Sequence, residues 1–307
     1  MLKTNLEVMS KARAGGYAVP AFNTNNLEIT QAIFEAAAEE KSPVIVATSE
    51  GAIKYANIEN IVSMTKNLAD RYGVTATLHL DHGTTIESAI QCIRAGYTSV
   101  MIDGSHHPLD ENIHITQEVV KIAHAVGVSV EAELGRLKGI EDNIVVSEAD
   151  AFLTLPSEAK QFVEATKCDT LAVAIGTSHG AYKGKGPAKL DFDRLKEIVD
   201  LIPATPIVLH GASGVPPELI AELNSLGSNF KDTGGVGDDS IQKAISFGVC
   251  KINIDTDMRL AFTLAIKKAM TANPNEFDLR KILGPGKDAM KAMAKGKMRL
   301  FGSSGKA

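Results

Sequence analysis

With 307 residues, 44% hydrophobic and 22% charged, the chain can bury a full core as one large domain or two ordinary ones. A formal net charge of −5 with no concentrated basic face argues against a nucleic-acid partner. No run approaches the roughly 18 apolar residues that span a bilayer, and Met1 to Glu7 holds no apolar signal core, so the expected setting is cytoplasmic, away from membranes.

In chain order, Tyr17 to Phe22 reads as a strand ending at Asn23, and Asn25 with Glu28 as a capping-box start for a helix to about Glu40. Val44 to Ala47 is a second strand, running into Thr48-Ser49-Glu50-Gly51. Asn57 then opens a helix with Ile58, Ile61, Val62 and Leu68 on one face. Thr75 to Leu80 is a third strand that stops abruptly in Asp81-His82-Gly83, followed by a helix capped by Thr84 and Glu87. Ser99 to Ile102, ending in Asp103, is the fourth strand, and a helix from Leu109 to about Val126 places Ile115, Val119, Ile122 and Val126 inward.

Ser129 to Leu134, the fifth strand, carries Glu131 and Glu133 on one face, a costly arrangement in a buried strand unless a cation or donor receives them. Gly135 to Leu155 lacks periodicity and reads as a long loop over the strand ends, containing Glu141 and Asp142. A helix from Ser157 to Thr166 leads to strand six, Thr170 to Ile175, which opens into Gly176-Thr177-Ser178-His179-Gly180. Asp191 caps a helix to about Leu201, and strand seven, Pro206 to Leu209, ends in His210-Gly211-Ala212-Ser213-Gly214. Pro216 to Leu226 is helical; the glycines of 234–237 then lie between two helical segments, which is not the setting of a dinucleotide fingerprint. Lys251 to Ile254 is strand eight, ending in Asp255-Thr256-Asp257, followed by a helix to about Met270 and a helical tail.

Eight alternating strand and helix units in about 260 residues predict an α/β fold, a parallel (β/α)8 TIM barrel over about residues 1–272 with a C-terminal helical tail over 273–307, all one domain. An open doubly wound sheet could use the same elements but would seldom supply polar residues after every strand. A barrel gathers Asn23, Ser49, Asp81, His82, Asp103, Glu133, His179, His210, Ser213, Asn253 and Asp255 at the C-terminal rim of its strands.

His82, His179 and His210 supply the three imidazoles that a catalytic zinc uses, with a fourth position left for substrate; Asp103 and Glu133 are alternative oxygen ligands or partners that orient the rings. Any single rim histidine could instead be only hydrogen-bonded, the reading that suits His79, His106, His107, His114 and His124. Gly180, the turn from Gly211 to Gly214, and Asn253 to Thr256 follow strands six to eight, where barrels bind phosphate with backbone amides, and Lys183 can add charge there. The expected substrate is a small phosphorylated molecule. A Schiff base would need a lysine facing the barrel mouth, and Lys251 lies at the start of its strand, so a metal electrophile is preferred. Cys92, Cys168 and Cys250, widely spaced, read as reduced core thiols.

Six motifs, in order, carry a resemblance: Leu80 to Gly83, Val100 to His106, Val130 to Gly135, Gly176 to Gly180, His210 to Gly214, and Asn253 to Asp257. Over nearly its whole length the chain resembles the class II, metal-dependent fructose-1,6-bisphosphate aldolases. The resemblance implies reversible cleavage to dihydroxyacetone phosphate and glyceraldehyde 3-phosphate through an ene-diolate stabilised by zinc. It places the zinc on His82, His179 and His210, with Asp103 and Glu133 at a second or displaced divalent position. Asp81 would exchange the hydroxyl proton and Glu141 the proton at the carbanion carbon. Gly180, Gly211, Ala212, Ser213 and Asn253, Ile254, Asp255 and Thr256 would bind dihydroxyacetone phosphate, with Ser49 on the aldehyde side and Asn23 a further substrate contact. Arg259, Asp278 and Arg280 resemble the pattern that meets the far phosphate. The resemblance also implies a homodimer or homotetramer and leaves room for a monovalent cation, Na+ or K+, beside the phosphate. Sister enzymes cleave tagatose-1,6-bisphosphate; a barrel metallohydrolase, which usually has an early His-x-His pair absent here, and a non-catalytic sugar-phosphate binder are the remaining alternatives. Asp81 and His82, being adjacent, should point to opposite faces of a strand, so both can serve only if the chain turns there, as Gly83 permits.

Overall fold

The computed structural model describes residues 2–136, 139–141, 144–146, 152–178 and 188–307. The chain runs α1 (Asn5–Gly15), β1 (Val19–Asn23), α2 (Leu27–Glu40), β2 (Val44–Thr48), α3 (Glu50–Ala56), α4 (Ile58–Tyr72), β3 (Ala76–Gly83), α5 (Ile86–Ala95), β4 (Ser99–Ile102), α6 (Leu109–His124) and β5 (Ser129–Leu134). It continues β6 (Gly139–Glu141), β7 (Ile144–Val146), α7 (Pro156–Thr166), β8 (Thr170–Val173), α8 (Phe192–Leu201), β9 (Ile207–Leu209), α9 (Pro217–Ser225), α10 (Asp238–Ser246), β10 (Val249–Ile254), α11 (Thr256–Ala272) and α12 (Leu279–Leu300).

Eight strands close into a barrel in the order β1-β10-β9-β8-β5-β4-β3-β2, every neighbouring pair parallel, as the alternation of elements predicts. Their residues are almost continuously buried because one face lines the interior and the other lies under the helices. The larger apolar cluster fills the layer between sheet and helices, including Ile33, Phe34, Ile61, Val119, Phe162, Leu195 and Met298. A smaller one, with Val8, Met9 and Ala12 of α1 against Val19, Ala21, Ile45, Ala172 and Val208, plugs the end where the strands begin. The mouth at the other end therefore belongs to the loops.

Several boundaries differ from expectation for local reasons. The cap of α2 is Asn26, whose side chain accepts from Ile29 N, rather than Asn25; that of α5 is Thr85, accepting from Ser88 N. Helix α6 ends at His124, and Val126, expected inward, is 62% exposed because it lies beyond the helix end, where Gly127 at φ +74 turns the chain. The long loop after β5 contains a hairpin, β6 against β7, with Glu141 opposite Ile144. Two helices were not anticipated. Ser49, read as a strand-end residue on the aldehyde side of the substrate, also caps the short α3, and a Thr4–Glu7 capping box starts α1. Among the described residues no helix is long and apolar enough to cross a membrane.

Candidate active site at the barrel mouth

Strand β3 supplies the site's centre by breaking its own alternation. His79 and Leu80 pair with Ser99 and Val100, but the next partners are Gly83 and Ile102, so β3 spends one more residue than β4. The extra residue is a bulge, with His82 at φ +48, a conformation that a non-glycine residue rarely takes and that concentrates at functional sites. The bulge lets Asp81 and His82 both reach the interior, which strict alternation forbids. The turn is therefore made by His82 itself; Gly83 is needed for space, since a Cβ there would lie 2.5 Å from Met101 O.

Asp81 is buried, and each of its oxygens accepts one side-chain amide: Asn23 Nδ2 at 2.8 Å and Asn253 Nδ2 at 2.8 Å. Burial alone would raise its pKa, but His82, Lys251, His210 and His79 around it hold the carboxyl well below the usual carboxylate range. Asp81 is thus a fixed anion, and Asn23 and Asn253, expected as substrate contacts, are the residues that fix it.

The imidazole of His82 reaches Asp103 Oδ2 at 2.9 Å through Nδ1, with Glu133 Oε2 at 3.7 Å. His210 faces the same Glu133 Oε2 at 3.0 Å through Nδ1 and Glu131 Oε1 at 3.1 Å through Nε2, and the two rings lie 4.5 Å apart. Burial would raise the pKa of Asp103, but its hydrogen bonds with His82 and Ser105 keep it well below normal. For His210, burial and His82 disfavour the cation, yet Glu133 and Glu131 outweigh them and raise its pKa to about 9. Donor atoms of Asp81, His82 and His210 lie within 4.8 Å of one another, and so do those of His82, Asp103 and Glu133. Buried imidazoles and carboxylates at this spacing fit a divalent transition metal; two imidazoles, neutral once a metal takes the place of the extra proton, with oxygen donors beside them are a set that zinc accepts. His179, Gly180 and Lys183 lie outside the described residues, as does the side chain of Glu141.

The loops after β9 and β10 form the neighbouring wall. Gly211 takes φ +62 and stands so close to Ser178 that a Cβ would meet its carbonyl oxygen at 2.6 Å, so this turn needs glycine twice over. Ala212 and Ser213 are buried behind it. Asp257, the last residue of the motif that begins at Asn253 and one without an expected role, accepts from Gly214 N at 2.9 Å and Val215 N at 2.8 Å. Its own counter-charge is Lys297 of α12, at 2.8 Å. Ile254 ends β10 in the core, Asp255 precedes α11 and Thr256 begins it. Asn23, Ser49, Asp255 and Arg259 line one small cleft, with Arg259 Nε 2.7 Å from Asp255 Oδ1. Asp278 and Arg280 are not brought to it: they pair with each other at 2.8 Å at the start of α12, where Arg280 is 90% exposed.

Comparison with known proteins decides the family. The model for class-II fructose-bisphosphate aldolase matches residues 3–306. The chain belongs to the class-II fructose-bisphosphate aldolase family. Over the full length of both chains it is 54% identical to the fructose-bisphosphate aldolase of Thermus caldophilus and 50% identical to that of Helicobacter pylori strain 26695. Among solved structures it is similar to the YdjI aldolase of Escherichia coli K12, with a TM-score of 0.79 and 32% identity over 100% of each chain. Members of this class-II family are metal-dependent carbon–carbon lyases, and the buried histidine and carboxylate donors described above suit that chemistry.

Proposed function

We propose that this aldolase reversibly cleaves fructose-1,6-bisphosphate to dihydroxyacetone phosphate and glyceraldehyde 3-phosphate, with zinc as its metal. The observation that carries the reading is Asp81, an anion clamped by two amides beside the converging donors of His82, Asp103, Glu133 and His210. His82 and His210, together with His179, would hold the zinc, and Asp103 and Glu133 would orient the rings or take a displaced ion. Zinc, when bound, supplies a Lewis acid for the substrate ketone.

The remaining work falls to side chains. Asp81 accepts the proton of the hydroxyl on the carbon that becomes the aldehyde; that oxygen forms the new carbonyl, the carbon–carbon bond breaks, and its electron pair stays with the ketone fragment. Glu141 then gives a proton to the carbon that received the pair. In condensation both transfers reverse. Gly180, Lys183, the turn from Gly211 to Ser213 and the segment from Asn253 to Thr256 would receive the phosphate of the ketone half through backbone amides. Ser49 and Arg259, sharing a cleft with Asn23, suit the aldehyde half and its far phosphate, while Asp278 and Arg280 lie outside that cleft and pair with each other.

The test is cleavage of fructose-1,6-bisphosphate before chelation, after it and after zinc is restored, with tagatose-1,6-bisphosphate in parallel. Activity lost with the metal, regained with zinc and faster on the fructose sugar is the expected outcome. Turnover that survives verified metal removal would overturn the metal mechanism, and zinc-loaded protein inert on both sugars would overturn the substrate assignment.

A further inference from the structure

Beneath the donors at the mouth, the barrel interior holds a second set of polar groups that the proposed chemistry leaves unused. Lys251 is fully buried in β10, with Nζ 2.6 Å from Glu131 Oε1 and 3.3 Å from His79 Nε2. His79 Nδ1 is 2.9 Å from Ser99 Oγ and 3.2 Å from Asn5 Nδ2, and Thr170 Oγ1 donates to the second oxygen of Glu131 at 3.4 Å. His79, Asp81 and Glu131 hold donor atoms within 4.8 Å of one another, a spacing that suits a cation, and the chain itself supplies one as the Lys251 ammonium. A lysine this deep inside a barrel requires a purpose, because desolvating it is costly unless it is paired.

The purpose follows from what Glu131 touches next. The same oxygen that receives Lys251 lies 3.1 Å from Nε2 of His210, whose other nitrogen faces Glu133 at 3.0 Å. A metal-ligating imidazole must be neutral and carry its single proton on the nitrogen away from the metal, and a carboxylate on that nitrogen fixes both tautomer and ring orientation. We propose that Lys251 is a positioning residue for the metal centre: it anchors the Glu131 anion against Nε2 of His210, so that the lone pair of Nδ1 is presented toward Glu133 and His82. This rests on the reading of His210 as a metal ligand. It places Lys251 neither at a substrate contact nor in the Schiff-base role its residue type suggests, and it gives the two acids of β5 separate tasks: Glu131 takes the Nε2 proton of His210, while Glu133 stands on the Nδ1 side, where a metal would sit between them.

Three variants test it: Lys251→Met, the neutral pair Glu131→Gln with Lys251→Met, and His210→Ala. For each, zinc affinity is measured by competition with a chromophoric chelator, alongside the melting temperature and, at saturating zinc, KM for fructose-1,6-bisphosphate. Lys251→Met is expected to weaken zinc binding about 10–100-fold, the usual effect of losing an outer partner of a ligand, with KM within about twofold of the parent. The double variant, which removes both buried charges and so folds without an unpaired ion, should show the same loss at near-parental melting temperature. Folded Lys251→Met or double variant with parental zinc affinity would overturn the proposal while His210→Ala still abolished tight binding. Parental affinity in His210→Ala would overturn both the proposal and the reading beneath it.

Discussion

Asp81 shows how a residue's environment, not its type, selects its task. Two amides occupy its oxygens at 2.8 Å each, and the imidazoles and the Lys251 ammonium around it keep it ionised, so its geometry is set before any substrate arrives. Replacing it by alanine removes a proton acceptor without touching the converging donors of His82, Asp103, Glu133 and His210. We therefore expect Asp81→Ala to lower kcat by about 10²–10⁴-fold with zinc content unchanged, read by steady-state kinetics and metal analysis of the same preparation. Unchanged turnover would remove its proton-transfer role. At this scale the sequence was legible in part. Residue types after each strand marked Asp81, His82, Asp103 and His210, but the bulge at His82 is a backbone event that alternation cannot foresee. The clamp on Asp81 was not foreseen, because nothing in Asn23 or Asn253 says that an amide read as a substrate contact also faces a neighbouring carboxylate.

At the scale of elements, the turn after β9 is held by parts of the chain far from it in sequence. Val215, a β-branched residue, sits at φ +47, a strained conformation that needs compensation. Asp257 provides it by accepting from Val215 N and Gly214 N, and Lys297 balances the charge. The loop before α10 packs on the other side: Val236 N donates to Ser213 O at 3.2 Å, and a Cβ on Gly235 would lie on the backbone of Gly214. A turn proposed to bind phosphate with its amides is thus shaped from α11, α12 and the glycine loop together. Asp257→Asn keeps the size but turns one acceptor into a donor facing an N–H. The expected result is a rise of about tenfold or more in KM for fructose-1,6-bisphosphate, with zinc affinity unaltered, and an unchanged KM would sever Asp257 from substrate binding. Strands were the legible elements, since continuous apolar runs bounded by polar residues have few other readings. The short helices were not: α3 has only 7 residues and no buried one, so no periodicity announces it. The capping box of α1 was present in Thr4 and Glu7, and would have signalled that the far end of the barrel is closed by a helix.

For the whole molecule, eightfold repetition made the barrel legible, whereas closure between the chain's two ends did not show, because it pairs residues about 260 positions apart. Helix α12 lies along α2 on a row of ion pairs: Lys287 with Glu35 at 2.8 Å, Lys295 with Glu39 at 2.6 Å and Arg299 with Glu40 at 2.6 Å. The last residues continue the strap, with Gly305 N donating to Glu40 O and Ser42 Oγ to Ser303 Oγ. Lys295 and Lys291 lower the pKa of Glu39 from its ordinary 4.5, and Arg299, ahead of Ser304 and Lys295, does the same for Glu40. A carboxyl whose folded pKa is depressed contributes stability above its unfolded pKa and loses it as pH falls through the folded one. The strap should therefore be intact at neutral pH and weaken below about pH 4.5. Because these pairs are largely exposed and screened, the effect is modest: Glu40→Gln should lower Tm by on the order of 1–3 °C at pH 7 in low salt. The difference from the parent should shrink in high salt and close as pH falls through the depressed folded pKa of Glu40, below which both proteins carry a neutral group at position 40. Thermal melts of the two proteins across that range check the sign directly, and a gap that widens on acidification would show that Glu40 acts through some contact other than its cations.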